Sequence, residues 1–242
     1  MRTERKYLIL LIDHLNEVKD RIEKACARSG RDPEDVTLVA VSKTKPEEDI
    51  MELYEAGQRD FGENYIQELR TKHEDLPRDI RWHMIGHLQR NKVKYIAEWV
   101  TMIHSVDTME LAETIEKEAA KHDRIIPVLV EVNVGEEESK FGVSVEDAPL
   151  LVKKIISLPH VEFRGFMTSA PFVEDPEEDR PVFRKLKQLS VDTFSEIDDN
   201  NQVSVLSMGM TNDFEVAVEE GSTMVRVGTA IFGKRNYAKT GE

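Results

Sequence analysis

The feature that most constrains this chain is a rhythm. Short runs of apolar, β-branched residues alternate with helix-like stretches, unit after unit, from residue 36 to the region of residue 233. The run VTLVAVS (36–42) precedes a helical pattern over 46–57, RDFGEN (59–64) leads to a helix near 64–75, and RWHMIG (81–86) leads to one near 89–98. The runs 100–106, 125–134 and 161–168 precede helices at 108–121, 145–157 and 176–197. The last two, 202–209 and 222–228, precede a helix at 212–220 and a short terminal helix. Strands separated by helices pair in parallel, because each crossover returns the chain to the same edge. Eight such units predict an α/β fold, a single (β/α)8 TIM-type barrel, rather than an open sheet. A doubly wound open sheet is the alternative, but no G-x-G-x-x-G follows the first strand. No low-complexity linker offers a boundary, so residues 1–242 read as one domain. An extra helix precedes the repeat. Leu8, Leu11, Ile12, Leu15, Val18 and Ile22 recur at spacings of three and four, predicting a helix from near residue 4 to 28 that stops at Gly30.

Charge narrows the partners. Lys plus Arg number 33 against 47 Asp plus Glu, a formal net charge of −14. Such a surface disfavours nucleic acid and anionic membrane, though a small anion remains possible at a local positive site. The single cysteine, Cys26, continues the apolar stripe of the first helix and reads as a core thiol. The apolar run Tyr7 to Ile12 is too short for a signal-peptide core or a membrane span, which points to the cytoplasm.

A TIM barrel places its chemistry at the C-terminal ends of the strands, often with a phosphate site after strands seven and eight. After strand seven comes Ser207-Met208-Gly209-Met210-Thr211-Asn212-Asp213, and after strand eight Arg226-Val227-Gly228-Thr229. Glycines and hydroxyl residues opening helices there make a phosphate cradle, or else two ordinary capping turns. Met224, Arg226 and Gly228 share one strand face and Val225 and Val227 the other, which aims Arg226 into the barrel mouth. There it meets either a ligand phosphate or ring nitrogen, or an internal carboxylate such as Glu131 or Glu162. Strand one ends in Ser42-Lys43-Thr44-Lys45-Pro46, with Val39, Val41 and Lys43 on one face and Lys45 continuing that parity if the strand does. Lys43 is then either an ordinary surface charge or an amine with its pKa lowered by desolvation and by Lys45 or Arg226, as Schiff-base chemistry requires.

LVAVSKTKP (38–46), FGENYIQE (61–68), WHMIGHLQRNK (82–92), NVGEEESKFG (133–142) and SMGMTNDFEVAVEEGSTMVRVGTAIFG (207–233) resemble the pyridoxal-phosphate homeostasis protein family over nearly the whole chain. The resemblance implies a fold like the N-terminal barrel domain of bacterial alanine racemase. It implies pyridoxal 5′-phosphate held as a Schiff base on Lys43, with Arg226 facing the pyridine nitrogen. It implies Ser207, Gly209, Gly228 and Thr229 around the phosphate, and Asn64 and His87 near the cofactor mouth. Thr211 stands where many members have serine, and both carry a hydroxyl. A cation at the ring nitrogen disfavours its protonation and weakens the electron sink.

The resemblance implies a non-catalytic, monomeric carrier, with apo enzymes as candidate recipients of the cofactor. A racemase is the alternative. Racemase-type enzymes carry a β-rich domain after the barrel, and this chain ends at Glu242, soon after Gly228. Two-base racemisation needs an acid–base group on each face of the substrate; Lys43 is one, and Tyr65, His87 and Tyr237 are the candidates for the other. A sugar-phosphate isomerase barrel would use the same turns but leaves Lys43 without a role. His83 and His87 straddle a strand end and lack the helical geometry of a metal pair, so no metal is expected. Glu136 to Glu138 and Glu174 to Arg180 read as solvated charge, Asp13-His14 as the polar side of the first helix, and Trp82 and Trp99 as packing residues.

Overall fold

The computed structural model describes residues 2–137, 140–197 and 204–233, with side chains from Leu11 onward. Helix α1 (Arg2–Ser29) buries Leu11, Leu15, Val18, Ile22 and Cys26 along one stripe. It ends as expected at Gly30, whose φ of 69° is left-handed, with Arg31 N–H donating to the Cys26 carbonyl at 2.9 Å. This is the glycine-dependent helix stop in which two N–H groups beyond the helix satisfy its last carbonyls.

The repeat then runs β1 (Thr37–Val41), α2 (Glu47–Glu55), β2 (Asp60–Glu63), α3 (Ile66–Asp75), β3 (Arg81–Met84), β4 (Met102–Val106), α4 (Met109–Ala120), β5 (Ile126–Glu131) and α5 (Ala148–Ile155). It continues with β6 (Val161–Met167), α6 (Arg180–Glu196), β7 (Val205–Ser207), α7 (Phe214–Glu219), β8 (Met224–Val227) and α8 (Thr229–Phe232). The eight strands are parallel and close into a barrel in sequence order, β8 pairing with β1. The (β/α)8 expectation and the extra N-terminal helix are both met. Several boundaries differ, three of them for a clear local reason. The connection read as a helix near 89–98 is a 3-10 segment, Arg90–Tyr95, whose Asn, Val and Tyr favour the α-helix weakly. The stretch 176–197 begins as a 3-10 turn, Pro176–Asp179, before α6. Strand β7 ends at Ser207, because Gly209 turns the chain at φ 93°.

Strand periodicity sorts the side chains. Val39, Met102, Leu129, Met167 and Met224 fill the barrel interior, while Leu38, Ala40, Val225 and Val227 pack outward against the helical layer. Trp82 is buried in that layer, and Trp99 stacks on His73 at 3.8 Å. Helix α1 lies across α2, α7 and α8 and is held by charge: Arg21 reaches Glu215 at 2.8 Å, and Arg28 reaches Glu219 at 2.6 Å. His14 of α1 is bonded to the Ile231 carbonyl at 3.1 Å. Among the described residues no helix is long and apolar enough to cross a membrane.

Candidate functional site

A cavity of about 500 Å³ opens where β1, β2, β7 and β8 end. Its wall includes Lys43 and Lys45 after β1, Asn64 after β2, Ser169 to Phe172 after β6, Met210 to Asp213 after β7, and Arg226, Gly228 and Thr229 on and after β8. The size is that of a small-molecule site.

Lys43 stands in a tight turn. Strand β1 stops at Val41, the Lys45 N–H returns to the Ser42 carbonyl at 3.0 Å, and Thr44 takes a left-handed φ of 62°. The strand parity therefore does not run on to Lys45, whose ammonium donates to the carbonyls of Phe232 at 2.8 Å and Gly233 at 3.3 Å. Behind the turn lies a buried charged group. Glu63 accepts from the Ser42 hydroxyl at 2.6 Å and from Lys72 at 2.8 Å. Burial pushes the Glu63 carboxyl up to about 7 against the pull of Lys72 and Ser42.

Arg226 is buried, with its guanidinium on neutral acceptors. One nitrogen donates to the Ser207 carbonyl and hydroxyl, both at 2.7 Å, and the other to the Thr168 carbonyl at 2.8 Å and the Ser169 hydroxyl at 3.3 Å. It forms no salt bridge among the described residues. Glu162 instead pairs with Arg164 at 3.1 Å, and Glu131 is half-buried, its carboxyl pushed up to about 7 by desolvation and by Asp107. Burial draws Arg226 down to about 10, opposed by Glu131 and Asp213, so it stays a cation at neutral pH.

A hydrogen-bonded chain continues from Arg226 through the barrel. His104 Nδ1 is 2.9 Å from the Ser207 hydroxyl, His104 Nε2 is 3.0 Å from His83 Nδ1, and His83 Nε2 is 3.1 Å from Asp60. Asp60 is clasped by Arg81, and although burial opposes ionisation, Arg81 and His83 bring its carboxyl down to about 2. Burial, then His83 and Arg226, hold His104 well below the usual histidine range, so it is neutral. With Arg226 donating to the Ser207 oxygen, the serine proton is directed to His104 Nδ1. That makes His104 Nε2 a donor to His83, and His83 Nε2 a donor to Asp60.

The turns after β7 and β8 face each other. Thr211 Oγ1 accepts from the Ala230 N–H at 3.3 Å, joining them. The Thr229 N–H opens α8, where no carbonyl of its own helix accepts it, and the N–H groups of Thr211 and Asn212 lie in the turn just before Asp213, which caps α7. A Cβ on Gly228 would sit 3.3 Å from Val41 Cβ and Val41 O, a tight fit against β1. Asp213 closes the first turn onto the Met210 N–H, and the neighbouring Asp179 is pushed up to about 6 by burial and by Asp213.

The structure thus brings Lys43, Asn64, Arg226, Gly228 and Thr229 to one cavity. Ser207 and Gly209 lie one layer behind it. Ser207 holds Arg226, and the Gly209 carbonyl accepts from the Arg226 N–H at 3.0 Å. A Cβ on Gly209 would meet Ala217 Cβ at 2.6 Å, so this glycine admits α7. His87 is exposed outside the lining, stacked on Phe141 at 4.0 Å and 3.9 Å from Asp107. His83 lies inside the barrel, apart from His87. The sequence reading missed Ser169 to Phe172 and His104. The parity of MIHSV, which puts Met102 and His104 on one face, was the available signal for His104. Gly86 was missed as well: a Cβ there would sit 2.6 Å from Asn64 O, so only glycine allows Asn64 its place. Tyr237, Glu138, Gln202 and Val203 lie outside the described residues.

Residues 14–236 match the family described as alanine racemase, N-terminal domain. The pyridoxal phosphate homeostasis protein of Aquifex aeolicus is 47% identical over 226 residues, covering 93% of this chain and 98% of that one. A solved structure described as an unknown protein from Bifidobacterium adolescentis superposes with a TM-score of 0.85 at 37% identity, over 94% of this chain and 96% of the other. PipY of Synechococcus elongatus, solved with pyridoxal phosphate bound, superposes with a TM-score of 0.76 at 34% identity, over 88% of this chain and all of PipY. On its fold and on these likenesses, the chain belongs to the pyridoxal phosphate homeostasis protein family, built on the alanine racemase N-terminal domain.

Proposed function

We propose that this protein holds pyridoxal phosphate as a Schiff base on Lys43 and acts as an intracellular carrier and buffer of that cofactor. The observation that carries the reading is the convergence of Lys43, the buried Arg226 and two helix-opening turns on one cavity. The residues fit the group. Asn64 Oδ1 is buried without a protein partner, an acceptor suited to a ligand hydroxyl or protonated nitrogen. The N–H groups of Thr211, Asn212 and Thr229 suit a phosphate, with Gly228 allowing close approach. Arg226 suits the ring nitrogen, where its charge disfavours protonation. In this reading Ser207 and Gly209 act from behind, fixing Arg226 and the phosphate turn, and His87 stands at the mouth.

The cofactor supplies an aldehyde. The Lys43 amine condenses with it, the C=N bond forms and one water leaves; water reverses the step and restores the aldehyde, whereas an incoming amine takes over the carbon as its own imine and frees the Lys43 amine. That reversibility is what holding and releasing a cofactor requires. The names of the relatives support the carrier over the racemase. So does the lining: among the described residues its titratable groups are Lys43, Lys45, Asp213 and Arg226. Of the candidates for a second acid–base group, Tyr65 and His87 are outside it. The same reading makes residues 1–242 one cytoplasmic, monomeric unit, with apo enzymes as the recipients.

The test is the absorbance spectrum of the purified protein with pyridoxal phosphate, before and after borohydride, beside Lys43→Ala. Wild type is expected to show a Schiff-base band that borohydride removes, leaving a pyridoxyl adduct on the Lys43 peptide; Lys43→Ala is expected to show neither. A wild type without the band would sink the reading. Sustained turnover of L-alanine to D-alanine by the loaded protein would replace the carrier with the racemase.

A further inference from the structure

Lys72 is the most unusual charge outside the cavity. It projects from α3, a surface helix, yet it is only 4% exposed. Its ammonium donates to Glu63 at 2.8 Å, to Glu68 at 2.6 Å and to the Ser42 carbonyl at 2.7 Å. Those are three acceptors for three N–H bonds, so Lys72 has no lone pair to offer as a nucleophile. Burying an ion this way costs several kcal/mol and is often no more stable than an apolar replacement, which makes stability a weak reason for it.

What the cluster grips is specific. The Ser42 carbonyl belongs to the peptide group preceding Lys43, and it also accepts from the Lys45 N–H at 3.0 Å. The Thr44 N–H belongs to the peptide group following Lys43, and it donates to Glu68 Oε1 at 2.6 Å. Both rigid planes flanking the Lys43 Cα are therefore anchored to one pair of side chains, Glu68 and Lys72, a helical turn apart on α3. Glu63, at the end of β2, ties that pair to the Ser42 hydroxyl and so to the barrel. With both planes fixed, the direction of the Lys43 Cα–Cβ bond is fixed too. The left-handed Thr44 needs such restraint, since a non-glycine residue there is strained by about 1 kcal/mol or more.

We propose that Lys72 and Glu68, seated on Glu63, are positioning residues for Lys43: they clamp the two peptide groups on either side of it and so aim its amine into the cavity. The clamp touches no ligand. Its consequence for Schiff-base formation rests on the function proposed above, whereas its hold on the 42–45 turn does not.

Lys72→Met keeps the bulk of the stem and removes the donors. Glu68→Ala removes the Thr44 anchor from a partly exposed side chain, and Glu68→Gln keeps an acceptor there. In the ligand-free full chain, Thr44 amide hydrogen exchange is expected to accelerate about tenfold or more in Glu68→Ala, the loss of one anchoring bond, and to stay slow in Glu68→Gln. With pyridoxal phosphate added, borohydride trapping at Lys43 is expected to slow about tenfold or more in Lys72→Met and Glu68→Ala, as for a misplaced reacting group, with Glu68→Gln close to wild type. If Lys72→Met does not fold, Glu68→Ala decides. Folded variants with wild-type Thr44 exchange and wild-type trapping would overturn the clamp. A wild type that traps nothing overturns the proposed function instead, and Thr44 exchange still judges the clamp.

Discussion

The two basic corners of the cavity are built on opposite principles. Lys43 sits on a turn braced by ionisable groups, Glu63, Glu68 and Lys72, reaching in from β2 and α3. Arg226 sits on neutral acceptors, two carbonyls and two hydroxyls, with the neutral His104 behind them. The difference follows from what each side chain has to do. Arg226 keeps its charge by its own high affinity for a proton, so neutral dipoles suffice and leave its charge directed at the cavity. The turn under Lys43 has to be held in an unfavourable backbone conformation, and charge-assisted bonds are the strong ones.

Arg226→Leu should expose the sharpest asymmetry. It removes four hydrogen bonds from a charged donor, while the Ser207 carbonyl keeps the Thr168 N–H and the Ser207 hydroxyl keeps His104, at a cost of about 4 kcal/mol in urea unfolding, at ~1 kcal/mol or more per bond. A loss under about 1 kcal/mol would mean the site collapses easily and the neutral corner is not rigid. The two corners should also titrate in opposite directions. Glu63 has a folded pKa of about 7 against an ordinary 4.5, so the native state binds the proton more tightly and stability rises as pH falls from about 7 to 4.5. The stability of wild type minus Glu63→Gln should therefore grow across that window, by up to about 3 kcal/mol; a flat difference would show Glu63 fully ionised by Lys72. His104 has a depressed folded pKa, so its contribution is complete above the ordinary value of 6.5 and is lost as pH falls toward the folded one. His104→Phe should cost about 2 kcal/mol at pH 8 and less at pH 5, since it strands His83 and Ser207. The smallest effect belongs to Asn64, whose Oδ1 has no protein partner. Asn64→Ala should leave ligand-free stability within about 0.5 kcal/mol while weakening pyridoxal phosphate binding; a large loss of stability would give it a structural role instead.

Much of this was legible in the chain. Alternation placed Met224 and Arg226 inside β8 and the two valines outside, because a strand has only two faces. The end of β1 pointed to Lys43, and the glycines after β7 and β8 marked turns that do face one another. The strand parity failed at Lys45, since Thr44 turns the backbone through a left-handed conformation that no local pattern announced. Lys72 gave no sign at all: in sequence it is one more charge on an amphipathic helix, and its burial depends on Glu63, nine residues back on a different element. The polar line from Asp60 to Arg226 likewise joins residues on β2, β3, β4, β7 and β8, five strands that meet only when the barrel closes.

By itself the sequence determined the periodicities, and these fix which face of each element is apolar and so the closed parallel barrel with its chemistry at one rim. Only the tertiary structure decided which polar groups are buried together, because a hydrogen bond or an ion pair depends on distances of a few ångströms between residues far apart in the chain. The charged clamp under Lys43 and the neutral seat under Arg226 are both of that kind.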